Sequence, residues 1–137
     1  MTLEANCLCG ETSLSIDGEP IGQFFCHCDD CQAVAGAAYL PIALYPKDAV
    51  KVTAGNPLQW TYKTNPRTRC ANCGTVMYSE PAGAPFVGVK ANLLPDGVFK
   101  PSSHIMCQYA VRPVVDDLPH FKGFPAAFGG SDEMMDW

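Results

Sequence analysis

Apolar residues along this chain fall in short β-rich runs, and the twelve Gly and twelve Pro break the runs from one another. The runs predict strands at Thr12 to Ile16, Gln23 to Cys26, Ala38 to Tyr45, Val50 to Thr53, Leu58 to Thr64, Thr75 to Glu80, Phe86 to Asn92 and Ser103 to Tyr109. Each is short enough for an antiparallel sheet. Asp17-Gly18, Gly55-Asn56-Pro57, Pro81-Ala-Gly83 and Pro95-Asp-Gly97 supply turns between them. A single helical turn is expected at Asp29 to Ala35, where an acidic residue opens an Ala-rich stretch. The fold class predicted is therefore mostly β, antiparallel, with little helix.

After about residue 125 the alternation disappears. Gly123 to Trp137 is rich in small residues, and two behaviours are open to it: a tail that caps the sheet loosely or frays, or one that packs Phe121, Phe124, Phe128 and Trp137 onto the domain or a second subunit. We expect one domain at 1–125 and a tail at 126–137, because 137 residues, 47% of them hydrophobic, suffice for one modest core. The net charge of -5 provides no basic field for phosphates or anionic head groups, so neither nucleic acid nor a membrane surface is an expected partner. The first residues lack a basic, then apolar, leader, and no segment approaches the ~20 apolar residues of a membrane span, which leads us to expect a cytoplasmic protein.

A reducing compartment changes the reading of the eight cysteines, since it disfavours the four disulfides that an even count would otherwise suggest. The cysteines cluster as Cys7-Leu-Cys9-Gly10, Cys26-His-Cys28-Asp-Asp-Cys31 and Cys70-Ala-Asn-Cys73-Gly74, with Cys107 alone. A CxxC pair followed by Gly lets a tight turn aim two sulfurs at one ion, and a closed zinc site needs a second pair from elsewhere in the chain. By count, Cys7 and Cys9 complete a four-thiolate site with Cys70 and Cys73. The trio Cys26, Cys28 and Cys31 then binds a second ion by itself with one position open, unless Cys107 or His27 fills it. Zinc suits these sets better than iron, whose cluster motifs are spaced differently. His27 lies between two cysteines of an extended segment and is expected to face away from their ion, in packing or in a bond to a neighbour. Cys107 shares a strand face with Ile105 and Tyr109 and reads as a small buried hydrophobe.

Three thiolates leave zinc electron-rich, a poor activator of water but a good acceptor for another thiol, which loses its proton on coordination. A thiolate beside a small carbonyl compound adds to it, and the reverse reaction splits a carbon-sulfur bond. The partners expected are a small thiol or its aldehyde adduct.

The series C-x-C-G, C-H-C-x-x-C-Q and C-x-x-C-G, with Phe25-Cys-His-Cys-Asp-Asp-Cys-Gln-Ala-Val-Ala-Gly36, Arg69-Cys-Ala-Asn-Cys-Gly-Thr75 and Asp116-Asp-Leu-Pro-His-Phe121, resembles the glutathione-dependent formaldehyde-activating enzyme family, which includes centromere protein V. The resemblance spans roughly Asn6 to Pro125. It implies a β-tent fold pinned by two zinc ions, with Cys7, Cys9, Cys70 and Cys73 structural and Cys26, Cys28 and Cys31 catalytic. It also implies a carbon-sulfur lyase acting on S-hydroxymethylglutathione or a similar adduct. Three positions depart from the family pattern: Ala5 replaces a frequent Gly, Arg69 an aromatic, and Gln32 an Arg. Without that Arg we expect weaker capture of a carboxylate-rich thiol, recoverable by Gln32→Arg. The competing expectation is a zinc-stabilised binding module without turnover; a thiolate-based zinc or redox sensor ranks below both. Homo-oligomerisation is compatible with the sequence.

Overall fold

The computed structural model describes residues 1–63 and 65–137, so the last residue of the strand expected at Leu58 to Thr64 lies outside the described residues. The chain divides into two compact units. The first comprises Met1–Gly22 and Ala43–Phe99. In it β1 (Thr2–Asn6), β2 (Ser13–Asp17) and β5 (Val50–Ala54) form a three-stranded antiparallel sheet, with β2 in the middle. The side chains of β2 explain its central place: Leu14 and Ile16 are fully buried, while β5 at the edge is largely exposed. A second antiparallel ladder joins β6 (Leu58–Tyr62), β7 (Asn65–Arg69), β8 (Val76–Ser79) and β9 (Phe86–Lys90). Leu14, Ile16, Tyr45, Met77, Val87 and Val89 make the core, and Cys7 and Cys70 are buried within the same cluster. Two of the candidate ligands are thus anchored by packing.

The second unit comprises Gln23–Ile42 and Lys100–Trp137. It holds β3 (Gly22–Cys26, from its second residue on), α1 (Asp29–Ala35) and β10 (Ser103–Ile105). The strand β4 (Leu40–Pro46) begins in this unit and ends in the first. β10 pairs with β3 in parallel, setting His104 opposite Phe25 and Ile105 opposite Cys26. The helix α1 runs over the expected residues and stops at Gly36, which takes a left-handed conformation and returns its N–H to Gln32 O at 2.8 Å.

Residues 121 to 137 fold back within their own unit. Phe124 and Phe128 present edge-on to Phe24, with ring centroids 6.2 and 6.1 Å away. Phe121 and Met134 form an antiparallel bridge, and Trp137 stacks on His120 at 4.6 Å. Of the two behaviours open to this segment, packing is the one observed.

Secondary structure departs from expectation in three places. β1 and β7 were absent from the expected strands: Thr2, Glu4 and Asn6 make β1 half polar, and β7 carries Pro66 between Asn65 and Arg67. The strand expected from Ser103 to Tyr109 ends at Ile105, because Met106 turns left-handed at φ +55° and Cys107–Tyr109 form a 3-10 turn. Cys107 and Tyr109 therefore do not continue a strand face with Ile105, although Cys107 is buried as expected.

Candidate metal centres

All eight cysteines are free, and seven converge into two groups. The sulfurs of Cys7, Cys9, Cys70 and Cys73 lie within 4.8 Å of one another. Cys7 and Cys9 Sγ are 3.5 Å apart, and Cys9 and Cys70 Sγ 3.7 Å. A disulfide would need ~2.05 Å. The edge of a tetrahedron with zinc-sulfur bonds of ~2.3 Å is about 3.8 Å, which these separations match.

Two similar loops build this set. Cys7 N–H donates to Thr12 O and Gly10 N–H to Cys7 O; in the second loop Cys70 N–H donates to Thr75 O and Gly74 N–H to Cys70 O. Gly10 and Gly74 stand at φ +83° and +77°, which lets each loop turn back under its own sulfurs. Backbone and hydroxyl donors reach the thiols: Thr12 N–H lies 3.2 Å from Cys7 Sγ and Thr75 Oγ1 3.1 Å from Cys73 Sγ. The Thr75 hydroxyl and N–H pull the Cys73 thiol down to about 5, so one sulfur of the set is a thiolate even without an ion. Leu8 N–H on Thr75 Oγ1 at 3.3 Å ties the two loops together. Arg69, at the position where an aromatic was the family expectation, lays its guanidinium 3.6 Å over the ring of Trp60.

In the second unit Cys26 closes β3, Cys28 caps α1 and Cys31 lies one turn inside that helix. Cys28 Sγ accepts the Cys31 N–H at 3.3 Å, an N-cap made by sulfur in place of oxygen. All three sulfurs lie within 4.8 Å of one another, and among the described residues no fourth His, Cys or carboxylate joins the group. Neither His27 nor Cys107, the two residues considered as closing ligands, belongs to it. Hydrogen bonds of Cys26 with the Cys28 and Cys31 thiols, and then burial, hold Cys26 well above its ordinary value. Three neighbouring thiols cannot all ionise without a cation among them, so the donor set fits a soft divalent metal such as zinc. Burial pushes Cys107 up to about 12, which makes it an inert thiol.

His27 is fully buried. Its ring stacks on Tyr39 at 4.8 Å and meets Trp137 edge-on at 5.4 Å, and its Nε2 lies 2.9 Å from His104 Nδ1. Burial, reinforced by His104, drives its imidazole down to about 4 and keeps it neutral near pH 7. His104 Nε2 lies 2.7 Å from Asp116 Oδ2. Burial opposes ionisation of Asp116, but bonds from His104 and the Leu118 N–H outweigh it and lower its titration. His104 and Asp116 were not singled out from the sequence as members of the site; the segment Asp116 to Phe121 entered only as part of the family pattern. Gln32 also has partners of its own beside the trio. Its Nε2 donates to His27 O and to Tyr109 O, both at 2.8 Å, so its amide braces the backbone around the trio.

Comparison with known proteins adds the family. No curated protein matches the chain. A solved Rhodobacter sphaeroides protein shares the fold, with a TM-score of 0.57 at 20% identity over 70% of this chain and 90% of its own. Among the described residues no helix is long and apolar enough to cross a membrane. The sequence profile described as glutathione-dependent formaldehyde-activating enzyme matches residues 2–109, and with them all seven converging cysteines, so the chain belongs to that family.

Proposed function

We propose that this protein is a zinc-dependent carbon-sulfur lyase that cleaves or forms the adduct of a small thiol with a small aldehyde, of the S-hydroxymethylglutathione kind. The observation that carries the reading is the contrast between the two sulfur sets: four cysteines against three with no fourth protein ligand among the described residues. The four-cysteine set, drawn from both segments of its unit, would hold a structural ion, and the trio the catalytic one. Zinc bound at the trio supplies an acceptor for sulfur and a Lewis acid that lowers a thiol's proton affinity. In the lyase direction the carbon-sulfur bond of the adduct breaks, the hydroxyl proton leaves as the aldehyde carbonyl forms, and sulfur departs as thiolate. The protein's own part is to hold three thiolates in a fixed frame and to leave one side of the ion to substrate. His27, neutral near pH 7 and committed through Nε2 to His104, is a brace in this scheme.

The zinc-loaded protein should catalyse aldehyde release from S-hydroxymethyl adducts of thiols, followed by trapping the free aldehyde across a panel that includes glutathione. Activity with at least one adduct, lost in Cys28→Ser, is the expected outcome. No turnover with any adduct, together with no thiol binding to the trio, would turn the reading to a zinc-stabilised binding module.

A further inference from the structure

His27 sits between two candidate ligands and is gripped at three points. Its N–H donates to Ile105 O at 3.0 Å, its carbonyl accepts the Gln32 amide at 2.8 Å, and its ring Nε2 is bonded to His104 Nδ1 at 2.9 Å. The chain of bonds continues from His104 Nε2 to Asp116 Oδ2, while the other oxygen, Oδ1, accepts the Leu118 N–H at 3.0 Å. Both imidazoles are buried, at 1% and 0% exposure, while Asp116 at the outer end of the chain of bonds is exposed.

The direction of the bonds follows from Asp116. A carboxylate only accepts, so His104 carries its proton on Nε2. In the neutral pair His104 then offers a lone pair at Nδ1, and His27 must supply the proton between them from Nε2. His27 is thereby held as one tautomer, with Nδ1 left as a buried lone pair that has no hydrogen-bond partner among the described residues.

We propose that Asp116 and His104 are positioning residues for the trio: they fix the tautomer of His27 and, through it, the shape of the Cys26 to Cys28 segment that closes three sulfurs on one ion. The proposal rests on reading the trio as a metal site but not on the lyase reaction. Its chemistry is that of a carboxylate–histidine pair orienting a metal site, with a second imidazole interposed.

Asp116→Asn isolates the effect. Asn keeps an oxygen for the Leu118 N–H and can turn its NH2 toward His104 Nε2, reversing both imidazole bonds and placing the His27 proton on Nδ1, where it has no acceptor. At one fixed pH, nitrogen NMR of the histidine rings should show His27 changing from the Nε2–H to the Nδ1–H form. Cadmium NMR of the cadmium-loaded protein, in which three- and four-sulfur sites give separate signals, should show the trio surrendering its ion to a chelator at roughly tenfold lower concentration, with the four-cysteine signal unmoved. His104→Phe, which removes the bond to the His27 ring, should weaken the trio by ~10–100-fold. An unchanged His27 tautomer in Asp116→Asn overturns the proposal, as does a changed tautomer with unchanged cadmium retention. Neither readout needs a substrate, so an inactive protein defeats the lyase reading alone, while an active one with an unmoved tautomer defeats this proposal alone.

Discussion

Gln32, expected from the sequence to leave a substrate carboxylate without a guanidinium handle, has a task of its own in the structure. Its neighbourhood to the trio suggested a missing handle for a substrate carboxylate. Instead both observed amide bonds run to main-chain carbonyls, those of His27 and Tyr109, 77 residues apart in the case of Tyr109. The expected gain from Gln32→Arg is withdrawn accordingly: a guanidinium there would meet the same two carbonyls before any ligand. The sharper substitution is Gln32→Glu, which points carboxylate oxygens at two acceptors. It should destabilise the protein by about 2–3 kcal/mol in urea unfolding, since two bonds are lost and a partly buried charge is left without a donor. A variant as stable as the parent would show that these bonds are dispensable. The same local logic explains what was and was not legible at this scale. Cysteines at spacings of two or three residues announce a shared ion by themselves. His104 and Asp116 reach His27 across the fold, at a sequence distance of 77 for the imidazole pair, and no short spacing could pair them.

At the scale of elements, sequence expectations held where patterning was strong and failed where packing overrode propensity. Asp29–Ala35 forms the expected helix, with Cys28 as its sulfur cap and Gly36 as its stop. β7 has no apolar alternation, with Pro66, Arg67 and Arg69 among its five residues, yet Arg67 is buried and the strand pairs on both sides. The elements also separate the two cysteine groups energetically. Joining Cys9 to Cys70 closes a loop across 61 residues, whereas the trio spans only one strand end and one helical turn. Each doubling of loop length is worth about 0.6 kcal/mol, so the longer closure would give an ion at the four-cysteine site an advantage of about 2 kcal/mol in restraining the unfolded chain. Cys73→Ser should accordingly lower or abolish the cooperative melt. Cys28→Ser should lose one ion per chain and keep most of the melting temperature. Equal destabilisation by the two variants, measured by calorimetry alongside metal content, would refute the division into structural and catalytic ions.

At the scale of the whole molecule, metal loading is a titration. Seven thiols converge on two sites, and in the metal-free protein Cys73 is drawn down to about 5, while backbone hydrogen bonding also lowers Cys70. Filling both sites at pH 7 should therefore release several protons, about six at most, because each sulfur still protonated must lose its own to bind. Two divalent ions against seven thiolates carry the net charge from -5, counted with neutral thiols, to about -8. The sign follows: protons compete with the ions, so apparent affinity rises with pH and falls on acidification. Adding zinc to chelator-stripped protein in a weakly buffered solution and back-titrating the acid liberated checks the count. Release of one or two protons would mean that most of these thiols are bystanders.

The chain contains two tryptophans, and they fall one to a unit. Trp60 lies under the guanidinium of Arg69, the residue next to Cys70; Trp137 lies on His120 and against His27 and His104. Each sulfur group thus comes with its own fluorophore, and the two indoles sit in unlike electrical surroundings, a fixed cation for one and imidazole rings for the other. Optically the protein is already a two-channel instrument: with Trp60 replaced by Phe, the remaining emission belongs to the histidine-lined unit alone, and the filling of the trio becomes visible without a label.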